Sequence, residues 1–157
     1  MLKDKINEDF KIAFKEKKEV ELSVLKMIKA ALANKEKDKE YQAKQAGDSA
    51  AAEFGDEDVI DVIVSETKKL RDSVALFEKG GRIDLADSAK KEIEILSRYL
   101  PEQLDEQELK KIVAEAIAAA GAETIKDMGK VMARLMPKIK GRADSGLVGK
   151  MVKETLQ

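Results

Sequence analysis

Histidine and cysteine are both absent from the 157 residues. Without them no Ser-His-Asp or Cys-His nucleophilic system can be assembled, no structural zinc site of the usual ligand type, and no disulfide framework. Tryptophan is missing too, and aromatics reach only 4%. A stacking platform for single-stranded nucleic acid needs several aromatics on one surface, so that mode is disfavoured. No run of about 18 or more apolar residues occurs, so no membrane-spanning helix is expected. The start, Met1-Leu-Lys-Asp-Lys-Ile-Asn-Glu-Asp-Phe10, is charged throughout and does not read as a signal peptide. These absences predict a soluble cytoplasmic protein without a membrane partner.

Carboxylates, lysines, arginines, two tyrosines and hydroxyls are left for chemistry. They could hold Mg²⁺ or move protons only where several carboxylates converge. The acids are instead spread along the chain. No catalytic residue, no metal ligand and no cofactor is therefore expected.

Only 2 Pro and 9 Gly interrupt a chain that is 43% hydrophobic and 39% charged, the composition of amphipathic helices. Apolar residues recur at helical spacing almost throughout. Leu2, Ile6, Phe10, Ala13 and Phe14 mark a first helix, and Val20, Val24, Leu25, Ile28, Ala31 and Leu32 a second that runs on through a charged stretch to Lys44. Gly47 to Gly55 reads as a loop. Asp56 is the expected cap of a third helix along Val59, Ile63, Thr67, Leu70, Val74 and Phe77, stopped by Gly80-Gly81. A fourth carries Ile83 to Leu100 and ends at Pro101. Asp105-Glu-Gln-Glu108 resembles a capping box and opens a fifth, which Gly121 stops. The pattern predicts an all-α chain: an N-terminal four-helix bundle with a long helical hairpin over 1–100, then a small three-helix C-terminal domain over 101–157.

The segment with most functional content is Ile125-Lys-Asp-Met-Gly-Lys-Val-Met-Ala-Arg-Leu-Met-Pro137. Ile125, Met128, Val131, Met132, Leu135 and Met136 fall on one helical stripe. Lys126, Lys130 and Arg134 recur every four residues on the other side, and Lys138, Lys140 and Arg142 follow. From 121 to 157 there are eight Lys/Arg against four acids, so this third carries +4 in a chain of net −1. A helix that is core on one side and cationic on the other can dock a polyanion. The alternative is an ordinary solvated face. Met128, Met132 and Met136 form a row that is either core packing or a flexible groove for a partner. Gly129, between the Met and Lys rows, costs about 1 kcal/mol of helix stability and permits close backbone approach. Gly141-x₄-Gly146 has phosphate-loop glycine spacing but lacks the Lys-Ser/Thr that should follow, so it reads as a turn capped by Asp144 or Ser145. The start of the helix after it offers backbone N–H groups beside Arg142, suited to a single phosphate.

Four stretches, in order, carry a resemblance: Gly81-Arg-Ile-Asp-Leu85, Glu92-Ile-Glu-Ile-Leu-Ser-Arg-Tyr-Leu-Pro-Glu-Gln-Leu104, Asp127-Met-Gly-Lys-Val-Met132 and Gly141-Arg-Ala-Asp144. Together with Leu25-Lys-Met-Ile-Lys-Ala30 they are similar to the GatB/YqeY family over essentially the whole chain. One departure is visible: Ser145 stands between Ala-Asp and the glycine that usually follows directly. The resemblance implies an α-helical bundle followed by a three-helix domain. It implies a tRNA-binding appendage related to the tail of the B subunit of the glutamine-dependent aspartyl/glutamyl-tRNA amidotransferase, with catalysis elsewhere. Its implied partners are tRNA, met at the elbow or along the backbone, and a tRNA synthetase or amidotransferase. The expected phosphate contacts are Lys126, Lys130, Arg134, Lys138, Lys140 and Arg142, with Gly129 as the point of close approach. A protein-interaction adaptor is the first competing reading. A ligase activity with glutamine as amido donor is the second, disfavoured by the residue inventory.

Overall fold

The computed structural model describes residues 1–157, the side chain of Ala51 excepted. Seven α-helices and two short 3₁₀-helices form, and no strand occurs among the described residues. In order they are α1 (Leu2–Lys15), α2 (Glu19–Ala46), α3 (Asp56–Lys79), α4 (Ile83–Ser97), α5 (Glu106–Ala120), α6 (Met128–Ile139) and α7 (Ser145–Thr155). Their packing falls into two compact units, 1–100 and 101–157.

In the first unit, Ile6, Val24, Leu25, Ile28, Leu32, Val59, Ile63 and Leu96 are buried in one core drawn from all four helices. Antiparallel α3 and α4 make the long hairpin, turned at Gly80-Gly81, where Gly81 takes φ +70°. Polar ties position α1. The Tyr99 hydroxyl donates to Asp9 at 2.7 Å, and burial followed by that bond pushes the phenol pKa well up. The backbone N–H of Leu2 donates to the Asp56 carboxylate at 2.8 Å.

Several boundaries differ from the sequence reading. Gly55, not Asp56, is the N-cap of α3; Asp56 is its first helical residue and satisfies the start of α1 instead. The Gly47–Gly55 loop contains a 3₁₀ turn over Ser49–Ala52, opened by Asp48 accepting from Ala50 N–H. Helix α4 stops at Ser97, and Arg98 to Leu100 form single turns ahead of Pro101. Pro137 lies inside α6, which continues to Ile139.

In the second unit, Leu109, Val113 and Ala116 of α5, Val131, Leu135 and Ile139 of α6, and Val148 and Val152 of α7 close a core with Leu156. Asp105 and Glu108 exchange the two bonds of a capping box at 2.8 and 3.1 Å, and Gly121 ends α5 in the left-handed region. No aromatic residue occurs between 101 and 157, so this core is wholly aliphatic and thioether. Among the described residues no helix is long and apolar enough to cross a membrane.

Candidate functional site

Helix α6 is three tetrads in succession: Met128-Gly-Lys-Val, Met132-Ala-Arg-Leu and Met136-Pro-Lys-Ile. Four residues advance about 400° around a helix, so each place in the tetrad becomes a row along the surface. The fourth place is the anchor, since Val131, Leu135 and Ile139 are at most 1% exposed. The first place is the shoulder: Met128 and Met132 are half-buried against that core, while Met136 is 44% exposed. The second place, Gly129, Ala133 and Pro137, is small and exposed. The third place is cationic and exposed: Lys130, Arg134 and Lys138, preceded by Lys126 in the 3₁₀ turn Ile125–Asp127 that leads into the helix.

The single apolar stripe read from the sequence therefore resolves into two. The aliphatic row is fully buried, and the methionine row winds outward until Met136 meets solvent. Ile125, expected on the stripe, is 43% exposed, because the chain at 125–127 is 3₁₀ and turns it off the helical register.

Within the cationic row, Lys130 has one acidic neighbour, Asp127, at 3.7 Å. That carboxylate also accepts from the N–H groups of Glu123 and Thr124 at 3.1 and 3.2 Å. Those two donors first, with Lys130 as a lesser cause, hold its pKa below the usual carboxylate range. Asp127 is thus chiefly the cap of the turn that starts α6. Lys126, Arg134 and Lys138 have no carboxylate within 4 Å among the described residues. A Cβ built on Gly129 would meet nothing within 4 Å. The surface beside the cations is open at that point.

Lys140 and Arg142 lie past the helix end. Lys140 is exposed and already engaged within the chain. Arg142 is half-buried, and its Nε donates to the Glu102 carbonyl at 3.1 Å. Leu104 N–H donates to the Arg142 carbonyl at 2.9 Å, and the Gln103 amide to the Gly141 carbonyl at 2.6 Å. Arg142 is a tie between the 102–104 segment and this turn, not a member of the row. At the start of α7, Asp144 accepts from Gly146 and Leu147 N–H at 2.7 and 3.2 Å. The backbone donors suited to a phosphate are therefore already taken by a carboxylate. Ser145, the residue that interrupts Ala-Asp-Gly, is the first of that helix.

Elsewhere, a polar groove of about 320 Å³ between α2 and α3 is lined by Lys35, Asp38, Asp61, Glu66 and Lys69 among others. Its charges are of both signs, and Lys69 pairs with Glu66 at 2.6 Å. No group of three or more acids able to hold a metal occurs among the described residues.

The row of small residues was not found by reading apolar and cationic spacing alone. Its signal was present, as a strict period of four running through every place of 128–139.

No curated protein matches the chain. The family model described as Yqey-like protein matches residues 3–156. Spanning both helical units and all three tetrads of α6, that match places the chain in the Yqey-like protein family.

Proposed function

We propose that the protein is a cytoplasmic, non-catalytic tRNA-binding accessory module, related in role to the tail of the glutamine-dependent tRNA amidotransferase. The observation that carries this reading is the cationic row Lys126, Lys130, Arg134 and Lys138. It is exposed, of one sign, and backed by a helix face fixed in a core. Lys140 and Arg142 border it. Three cations on one helix, with a fourth in the turn that leads into it, suit a chain of phosphates better than any small anion. The resemblance of Asp127-Met-Gly-Lys-Val-Met132 to a tRNA-contacting tail gives that polyanion a class. Recognition is of backbone shape at a folded region such as the elbow, and no residue of this chain performs the chemistry.

A second reading rests on its own observation. Ile125, Met136 and Leu147 of the 101–157 unit are 43, 44 and 53% exposed. Such apolar side chains suit an adaptor that holds a synthetase or an amidotransferase. Salt separates the two readings, since phosphate contacts weaken steeply with ionic strength and apolar contacts do not.

The test is fluorescence anisotropy of labelled tRNA at about 50 and 200 mM salt, with an expected log–log slope on the order of −2 to −5 for three to six phosphate contacts. Lys130→Glu combined with Arg134→Glu reverses two solvent-facing charges at a folding cost of under about 0.5 kcal/mol each. It should abolish the salt-sensitive binding. Lys110→Glu with Lys111→Glu, beside Glu106 and Glu108, should leave most of it. Binding by the 130/134 variant equal to that of the parent overturns the tRNA reading in favour of the adaptor.

A further inference from the structure

Resting on that reading, the geometry of α6 points to what part of an RNA it holds: we infer that Lys126, Lys130, Arg134 and Lys138 meet successive phosphates of one continuous strand. Contacts with base edges, or with two strands across a groove, are the arrangements this excludes.

On α6, Lys130, Arg134 and Lys138 are four residues apart, a rise of about 6 Å each and roughly 12 Å over the three, and Lys126 precedes them in the 3₁₀ turn. That step is close to the separation of neighbouring phosphates along a single strand. Rows of this kind are inclined by only about 26° to the helix axis, so Lys130, Arg134 and Lys138 share one solvent-facing side of α6. A strand laid along the row is followed by a charge at each nucleotide. A strand crossing it at a steep angle meets one or two.

The row has neither aromatic rings nor side-chain amides beside it on α6. Residues 101–157 contain no Phe, Tyr or Trp to stack on and no Asn, and their Gln residues are at 103, 107 and 157, outside α6. Bidentate reading of adenine by Asn or Gln and stacking on aromatic rings are therefore not open along α6, which leaves its Lys and Arg side chains to meet the strand. Beside the cations, exposed Gly129, Ala133 and Pro137 project little beyond the backbone. Long flexible cations next to short neighbours let a sugar–phosphate chain settle close to the helix. The one acid at the row, Asp127, faces its own backbone donors and Lys130, so it opposes the strand only at the N-terminal end.

The full chain and one tRNA transcript carrying randomly ethylated phosphates test this directly. The expected interference is a single patch of three or four consecutive phosphates on one strand. Lys126→Gln, Lys130→Gln and Lys138→Gln should each lower the magnitude of the salt slope by roughly 0.7 to 0.9, the value of one phosphate contact. Ala133→Gln adds bulk without charge beside the row on a solvent-facing position. It should weaken binding severalfold with the salt slope unchanged. Interference at scattered phosphates, or in two patches facing each other across a groove, overturns the single-strand register while leaving tRNA binding standing. Unchanged affinity in Ala133→Gln, together with a slope insensitive to which lysine is removed, shows a diffuse positive field and overturns it also. A parent chain that binds no RNA at 50 mM salt overturns this inference together with the function on which it rests.

Discussion

Asp58 shows what a single side chain contributes once the fold has brought its partners together. Its carboxylate accepts from the Lys39 ammonium at 2.7 Å and from Gly55 N–H at 2.9 Å. Burial pushes its pKa up, but the bonds from Lys39 and Gly55 outweigh that and leave the pKa below the ordinary range. A carboxyl whose folded value lies below its unfolded value near 3.9 stabilises fully above that pH. The contribution is lost as pH falls through the lower folded value. Urea titrations between about pH 3 and 5 should show stability falling with acid in the parent, and falling less steeply in Asp58→Asn. Equal slopes would mean that Asp58 is not the group responsible. Nothing in the local sequence announces this pair, because Lys39 sits nineteen residues away in what reads as a solvated charge run. Asp56 was misread for the same reason: its partner, Leu2 N–H, is fifty-four residues away. By contrast Asp105 with Glu108, and Gly121, were legible, since both partners of each signal lie within one turn of the chain.

At the scale of the element, α6 is the most readable helix, yet it begins later than the spacing of its apolar residues implies. Its face pattern follows from spacing alone. Its start does not, because Thr124 and Asp127 close a 3₁₀ turn that moves the helix onset to Met128. The helix runs on past Pro137 to Ile139. Proline lacks the N–H that would bond to the Ala133 carbonyl, yet the burial of Ile139 holds the final turn in place. Pro137→Ala restores that donor and keeps both the small and the cationic rows. It should raise the stability of the 101–157 unit by about 1 to 3 kcal/mol, read as a higher denaturation midpoint followed by far-ultraviolet dichroism. No shift would mean that the Ala133 carbonyl is already satisfied. The tetrad also limits its own length. A period of four on a helix of 3.6 rotates each row by about 40° per repeat, so three repeats fit within an apolar stripe of about 100° and a fourth would turn the aliphatic row out of the core.

Across the whole molecule, two apolar patterns separated by Pro101 become two cores that share none of their buried residues. The 1–100 unit carries 20 Lys/Arg against 22 acids, and the 101–157 unit 10 against 9, so neither attracts RNA by overall charge. Affinity must come from the local row, which is why the charge reversal at 130 and 134 tests so much. The absence of aromatics from the second core has an optical consequence. All four Phe and both Tyr lie between 10 and 99, so near-ultraviolet dichroism and tyrosine emission report the first unit alone, while far-ultraviolet dichroism reports the helices of both. In urea the two signals should give different midpoints, and coincident transitions would show one cooperative unit. Because the chain has no tryptophan, Met136→Trp would place a lone fluorophore at a half-exposed position on α6 beside the cations. The second unit is dark as it stands, and a single lamp there would signal both its folding and the arrival of a strand along the row.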